Sequence, residues 1–159
     1  MTYDVSIEKL GLFCVFDLKG ARADLESRLA EFSIALPESP NTFSKSGEFM
    51  LCWVGPTQWI LRAAAKDEHS LLRELQPGVT TEKTSAVEVS DMLQFFSVLG
   101  PDARSVLSVG CPLDTHTTKF PENAITFTAI FGARALLLRD KDGFQFAVDR
   151  SYADFVDDN

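Results

Sequence analysis

The sequence contains an internal repeat with an offset of about 80 residues. An apolar run that ends in Leu18-Lys19-Gly20 corresponds to a run that ends in Val98-Leu99-Gly100, and a predicted helix follows each run. Further along, the Gly-Pro turn at residues 55–58 corresponds to the Asp-Lys-Asp-Gly turn at residues 140–143. Both turns lie between apolar runs, as in β-hairpins. Each half therefore reads strand, helix, strands, helix.

This repeat predicts an α+β fold in which two similar strand-helix-strands-helix halves share one core. Neither half is expected to bury its sheet face alone, because a sheet needs a second layer to cover its apolar side. We place the repeats at about residues 5–78 and 86–158, within a single domain of residues 1–159. A chain of 159 residues is in the usual size range for one domain.

The first halves of the two repeats contain the clearest helix signals. Leu25, Leu29 and Phe32 have the spacing i, i+4, i+7, which places them on one helical face. In the second repeat, residues 100–110 begin with Gly-Pro and end in Gly110, which suits a left-handed C-terminal cap. We expect Leu25 and Leu29, and likewise Val106 and Leu107, to pack against a sheet.

Shorter helices are predicted to close each repeat. Asp67 is the expected cap of the first and Ser151 the expected cap of the second. Residues 33–47 contain two prolines and several polar residues, so they are predicted to be mostly loop. Residues 79–85 are predicted to be a polar linker between the halves.

Charge and composition exclude several classes of partner. The formal net charge is −8, and no run of Lys and Arg is present to neutralise phosphates. We therefore expect no nucleic-acid partner. No stretch approaches the ~20 apolar residues of a membrane-spanning helix, and the N-terminal residues lack a signal-peptide pattern. Three widely spaced cysteines favour a reducing compartment. These features predict a cytoplasmic protein without a membrane partner.

The sequence offers no catalytic set, so we predict no catalytic, cofactor-binding or metal-binding residues in this chain. Of the two histidines, His69 is expected to be a solvated helix-start residue. His116 follows Cys111 and Asp114, but a structural zinc site needs four ligands, and no second pair is present. The two common glycine-rich phosphate loops are also absent from the sequence.

Large aromatic residues are candidates for partner contact. Trp53 and Trp59 flank the turn of the first hairpin, where they could be core residues or anchors for a partner, since Trp is enriched at interface hot spots. Phe120 and Tyr152 are further candidate anchors. The pattern alone leaves both interpretations of the tryptophans open.

Several ordered motifs resemble the gamma subunit family of heterotetrameric sarcosine oxidase. The family has an L-G-P-D-E-W-L-L stretch and, later, a run similar to L-x-G-P-x-A-R-x-V-L followed by G-C-x-L-D. Its final strand and helix typically read like R-S-F-A-x-Y. The corresponding segments here are Gly55-Pro56-Thr57-Gln58-Trp59-Ile60-Leu61, Leu99-Gly100-Pro101-Asp102-Ala103-Arg104-Ser105-Val106-Leu107, Gly110-Cys111-Pro112-Leu113-Asp114 and Arg150-Ser151-Tyr152-Ala153-Asp154-Phe155. The resemblance covers the chain from about residue 48 onward and is fainter before it.

The resemblance implies a fold related to the folate-binding domain of the glycine-cleavage T-protein. It also implies a non-catalytic subunit of a flavin-dependent N-methyl amine oxidase that supports assembly of the complex. Flavin, NAD and tetrahydrofolate are then expected in partner subunits, with none in this chain. The expected partners are the larger sarcosine oxidase subunits, in first place the alpha subunit.

Two other functions remain open at this point. One is a stand-alone folate-binding protein of the T-protein-like superfamily. The nearest string to that group's K-G-C-Y-x-G-Q-E motif lies at residues 109–114, where the Lys, the aromatic residue and the Gln-Glu pair are missing. The other is a small hydrolase, which the sequence supports least because it lacks a nucleophile beside a base.

Overall fold

The computed structural model describes residues 2–76 and 83–159 and divides the chain into two compact units. We call residues 12–90 the central unit and residues 1–11 together with 91–159 the terminal unit. Each unit contains a five-stranded antiparallel sheet. The prediction of an α+β fold built from two similar halves is confirmed.

Ten strands and four α-helices lie within the described residues. In chain order the strands are β1 (Ser6–Lys9), β2 (Phe13–Gly20), β3 (Phe43–Ser46), β4 (Phe49–Gly55), β5 (Gln58–Ala64), β6 (Thr84–Glu88), β7 (Leu93–Leu99), β8 (Ile125–Ile130), β9 (Ala133–Asp140) and β10 (Gly143–Asp149). The helices are α1 (Arg22–Leu29), α2 (Glu68–Leu75), α3 (Ala103–Gly110) and α4 (Ala153–Asp157). None of the helices described is long and apolar enough to cross a lipid bilayer.

The two sheets have the same strand order. In the central unit the order is β3-β4-β5-β2-β6, and in the terminal unit it is β8-β9-β10-β7-β1. Position by position, the hairpin β4–β5 corresponds to the hairpin β9–β10. Strands β2 and β7, which precede α1 and α3, occupy the fourth place. The internal repeat read from the sequence is therefore also a repeat in sheet topology.

The last strand of each sheet comes from the other repeat. Strand β1 precedes β2 in the chain but pairs with β7, and β6 precedes β7 but pairs with β2. The compact units follow this strand pairing, whereas the predicted repeat boundaries at 5–78 and 86–158 follow the sequence. The single domain with one shared core stays a prediction.

Each unit has its own cluster of buried hydrophobic side chains. Leu25 and Leu29 are completely buried in the central cluster, as predicted. In the terminal cluster Leu107 is buried as predicted, while Val106 is only half-buried. Val106 thus lies at the edge of the core rather than inside it.

Strands β1 and β3, and the start of β6, were absent from the sequence-based prediction. All four residues of β1 are exposed, so this strand has no apolar alternation. Strand β3 lies inside the segment predicted to be mostly loop, and Thr84 and Ser85 lie in the predicted linker. These strands form because backbone groups pair with a neighbouring strand, an interaction that depends little on side-chain type. Residues 79–82 of the predicted linker lie outside the described residues.

Three predicted helix caps differ in the structure. Asp149, not Ser151, accepts hydrogen bonds before the last helix, from the Ser151 amide at 2.9 Å and its hydroxyl at 2.6 Å. Asp67 makes no side-chain cap bond to α2. Gly110 does not have a positive φ, so it is not a left-handed cap. A side chain would not fit at this position, because a Cβ there would lie 2.9 Å from the Phe131 ring.

Candidate functional site

Trp59 belongs to the core of the central unit. Its side chain is completely buried, and its indole N–H donates to the Gly20 carbonyl at 3.1 Å. Its ring stacks on Trp53 with a centroid distance of 4.6 Å and an interplanar angle of 15°. Trp59 is therefore not available as an anchor for a partner.

Trp53 is half-buried and packs against the same cluster. The Arg22 guanidinium lies 5.6 Å from the centroid of its ring, within the range of a cation–π contact. Its indole nitrogen is buried and has no hydrogen-bond partner among the described residues. Trp53 thus supports the core and exposes only part of its ring.

The other two predicted anchors lie in the terminal unit, and the structure places them differently. Phe120 is buried in the hydrophobic cluster, whereas half of the Tyr152 side chain is exposed. Of the four aromatic residues considered from the sequence, Tyr152 is thus the one with a largely accessible side chain.

The histidines and Cys111 make local contacts. His69 is exposed in the first turn of α2, as expected. His116 is also exposed, with its amide donating to the Asp114 carboxylate at 2.9 Å and its Nδ1 2.9 Å from the Thr118 hydroxyl. Cys111 is buried, and its Sγ lies 3.8 Å from the Thr128 hydroxyl. These contacts describe a turn rather than a catalytic pair.

One group of possible metal ligands lies in the central unit. Sγ of Cys14 and carboxylate oxygens of Glu68 and Glu88 lie within 4.8 Å of one another. Ser90 donates a hydrogen bond to Glu88 at 3.0 Å. Burial raises the pKa of the Cys14 thiol to about 11, so the thiol stays protonated at neutral pH. We assign no metal to this group.

An apolar groove in the terminal unit has a volume of about 220 Å³. Helix α3, strand β1, the β8–β9 turn and the end of α4 form its walls. We call this surface the groove. Its principal lining residues are Tyr3, Ile7, Val106, Val109, Phe131 and Val156. Val109 is 70% exposed, Ile7 52% and Tyr3 48%, so the rim presents apolar side chains to solvent. Contiguous exposed apolar surface is a feature of many interaction sites.

The backbone of the β8–β9 turn holds Phe131 at the rim. Phe131 and Gly132 have φ values of 47° and 82°, as in the tight turns that connect twisted hairpins. The Phe131 amide donates to the Gly110 carbonyl at 2.9 Å, and its ring lies over the Gly110 backbone. The ring position is thus set by a backbone contact between the turn and the end of α3.

Acidic residues border the groove where α4 ends. Asp157 lines it directly, and Asp158 follows in the chain. One turn earlier, Asp154 forms an ion pair of 3.1 Å with Lys9 of β1. The groove therefore combines an apolar floor with a negative edge.

Sequence reasoning overlooked the groove. A signal was present on α3, where Val106 and Val109 follow each other at i, i+3 beside the buried Leu107. The apolar stripe on this helix is therefore wider than its own core contact requires. The remaining walls come from β1 and the β8–β9 turn, whose approach to α3 is a tertiary feature.

Comparison with known proteins supports the resemblance. The family model of the sarcosine oxidase, gamma subunit family matches residues 27–157. A comparison with curated proteins by sequence finds no match.

Two solved structures are similar to this fold. A heterotetrameric sarcosine oxidase from Corynebacterium sp. U-96, in complex with pyrrole 2-carboxylate, contains a similar chain. Its TM-score is 0.83 at 20% sequence identity, covering 96% of this chain and 79% of that one. The glycine cleavage system aminomethyltransferase T from Bartonella henselae gives a TM-score of 0.68 at 13% identity, and the match covers 98% of this chain and 45% of that one. These likenesses show a shared fold, including the predicted T-protein-like architecture. The family match over most of its length establishes that this chain belongs to the sarcosine oxidase gamma subunit family.

Proposed function

We propose that this chain is the non-catalytic gamma subunit of a heterotetrameric, flavin-dependent N-methyl amine oxidase similar to sarcosine oxidase, and that it supports assembly of the complex. The observation that carries the proposal is the match of the gamma subunit family over residues 27–157. The similar chain from Corynebacterium sp. U-96 belongs to a heterotetrameric sarcosine oxidase, which is consistent with a role inside an assembly.

The groove supports a role through contact. A stable subunit interface typically buries about 1,200–2,000 Å² and has an apolar centre with a polar rim. The terminal unit combines exposed apolar side chains with acidic neighbours in one place. This arrangement suits a surface that is covered by another chain.

We further propose that the partners are the larger subunits of the oxidase, the alpha subunit first among them. In this proposal flavin, NAD and tetrahydrofolate are bound by those partners and none is bound by this chain. The complex acts in the cytoplasm on an N-methyl amine such as sarcosine. The subunit contributes binding energy and geometry, and the chemistry is done elsewhere.

Co-expression tests the proposal. A tag on this chain alone should recover the larger subunits of the oxidase encoded with it, in a fixed ratio and with oxidase activity. A tagged unrelated protein of similar acidity is the control, because it reveals capture by charge alone. Recovery of the tagged chain without the others, while these assemble into an active enzyme, would refute the proposal.

A second measurement separates this proposal from the folate-binding alternative, which the T-protein-like fold keeps open. The isolated chain is expected to show no flavin absorption band and no binding of tetrahydrofolate in calorimetric titration. Stoichiometric tetrahydrofolate binding to the chain alone would favour the stand-alone folate binder.

A further inference from the structure

The first helices of the two repeats match residue by residue in burial. Residues 24–29 of α1 read D-L-E-S-R-L, and residues 102–107 at the start of α3 read D-A-R-S-V-L. In both, the second and sixth positions are buried, and the fifth is half-buried. Arg28 and Val106 therefore occupy equivalent positions in the repeat. Each lies beside a gap bounded by three elements. In the central unit these are α1, α2 and β6, and in the terminal unit they are α3, α4 and β1.

In the central unit Arg28 bridges this gap. Its guanidinium donates to the hydroxyl of Thr84 on β6 at 2.6 Å and to the carbonyl of Leu75 at the end of α2. The surrounding surface is a polar depression that also includes Asp24, Glu74 and Lys83. Arg28 thus links the end of α2 to β6 across this depression.

In the terminal unit the equivalent residue, Val106, makes no such link. Its side chain has no hydrogen-bonding group, and β1 and α4 contribute the apolar Ile7 and Val156, with Asp157 at the edge. The result is the 220 Å³ groove with its acidic edge. An apolar cavity of about 150 Å³ can hold a benzene molecule, so this groove has room for a large apolar side chain.

We infer that the groove receives a segment of a larger oxidase subunit, which inserts an apolar side chain against Val106 and places a Lys or Arg beside Asp157. The partner would thus place an apolar group and a positive charge in the groove, as the Arg28 side chain does at the equivalent position of the central unit. This inference rests on the proposed function and specifies which surface of the chain makes the contact.

Charge favours a different polypeptide over a second copy of this chain. Two copies would each bring a net charge of −8, and like charges oppose association. A basic segment would instead be attracted to the groove edge at Asp157. Complementary charge at an interface rim raises the association rate and makes it dependent on salt.

The apolar part of the contact is tested with two matched substitutions. Val109→Arg changes a groove residue that is 70% exposed, and Val87→Arg makes the same change at a residue of β6 that is 54% exposed. Tagged variants are co-expressed with the partner subunits, and the dissociation constant of the reconstituted complex is measured. We expect Val109→Arg to weaken binding at least about tenfold, as for a residue in an interface centre, and Val87→Arg to leave it unchanged. Val106→Arg, which copies the residue of the other repeat, should have the same effect as Val109→Arg.

The charged part is tested with Asp157→Lys and a control of equal charge change, Glu38→Lys, at an exposed position of the central unit. Asp157→Lys should slow association severalfold at low salt and flatten its salt dependence. Glu38→Lys should change neither by a comparable amount. Equal effects of the two variants would indicate a response to net charge alone and would contradict the inference.

The outcomes separate the two proposals. If the wild-type chain captures no partner subunit, the proposed function fails. If it captures them and Val109→Arg does so equally well, the groove inference alone is overturned. If Val109→Arg changes only the self-association of the isolated chain in sedimentation velocity, the occupant is a second copy, and the inference is again wrong. Thermal melting of each variant shows that it is folded, and the exposed position of Val109 keeps this test valid if Val106→Arg unfolds.

Discussion

At the scale of single residues, the repeat is most visible in two glycines. Gly20 ends β2 and Gly100 follows β7, and both have positive φ values, 152° and 116°. A Cβ at Gly20 would lie 2.9 Å from Thr84 Cγ2, and one at Gly100 would lie 2.6 Å from the Asp4 carbonyl oxygen. In each unit the glycine allows the exchanged strand to approach, so both positions require the absence of a side chain.

Gly100→Ala should therefore destabilise the protein. The Cβ would contact backbone atoms that cannot move easily, in a conformation that L-residues rarely adopt, and we expect a loss of about 2 kcal/mol or more. The free energy of unfolding is measured by urea titration. Gly11→Ala is the control, because nothing lies within 4 Å of its Cβ position. Equal stability of the two variants would show that the approach of β1 to Gly100 is not tight.

The equivalent leucines of α1 and α3 should contribute similarly to the free energy of unfolding. Leu29 is completely buried and Leu107 is 6% exposed. Replacing either by alanine should cost roughly 2–5 kcal/mol, because apolar contact is lost and a cavity remains. Thermal or chemical unfolding measures the loss. A melting curve unchanged by Leu107→Ala would contradict the packing of α3 on its sheet.

Burial should protect two cysteines from modification. It raises the pKa of Cys14 to about 11 and that of Cys52 to about 12. Only the thiolate reacts with alkylating reagents, and at pH 8 very little thiolate is present when the pKa is raised in this way. Iodoacetamide at pH 8 should leave both residues unmodified in the native protein and alkylate them in denaturant, as read by peptide mass spectrometry. Rapid alkylation of Cys14 in the folded protein would contradict the burial of its thiol.

At the scale of elements, the decisive feature is the exchange of edge strands between the repeats. Strand β1 has four exposed residues, so its pairing with β7 depends on backbone hydrogen bonds. The Leu10 amide donates to the Phe95 carbonyl at 2.9 Å. Because antiparallel pairs alternate with a period of two, the Glu8 amide points to Ser97, its register partner.

Glu8→Pro should consequently weaken the terminal unit. The substitution removes the inward amide and leaves a carbonyl of β7 without its partner, at a cost of about 1–3 kcal/mol. Glu8→Ala serves as the control, since it keeps the amide and changes only an exposed side chain. Urea unfolding compares the two. If Glu8→Pro is as stable as Glu8→Ala, β1 contributes little to the sheet.

At the scale of the whole molecule, the chain has two hydrophobic clusters and one predicted domain. Both tryptophans lie in the central unit, so fluorescence reports on that unit, while far-UV circular dichroism reports on both. If residues 1–159 unfold as the predicted single domain, the two signals should give coincident urea transitions. Separate transitions would show that the units unfold independently. Trp53→Phe with Trp59 retained is a control for the assignment of the fluorescence signal.

Local sequence determined much of this fold. Apolar runs with hairpin turns at 55–58 and 140–143 predicted the long strands, and the spacing of Leu25 and Leu29 predicted α1 and its buried face. The order of these signals predicted the repeat, and the resemblance of several motifs to a known family predicted the family. Such features are local because turn chemistry and side-chain periodicity act over a few residues.

The tertiary structure decided the remainder. The exposed strand β1 is ordered by pairing with β7, about 90 residues away in sequence. No side-chain pattern in the sequence predicts this strand. Because of this pairing, the boundaries of the compact units differ from those of the sequence repeats. It also brings Ile7 beside Val106 and Asp157 to form the groove. Backbone pairing and the shape of a surface depend on residues distant in the chain, so the position of the candidate site became visible only in the folded protein.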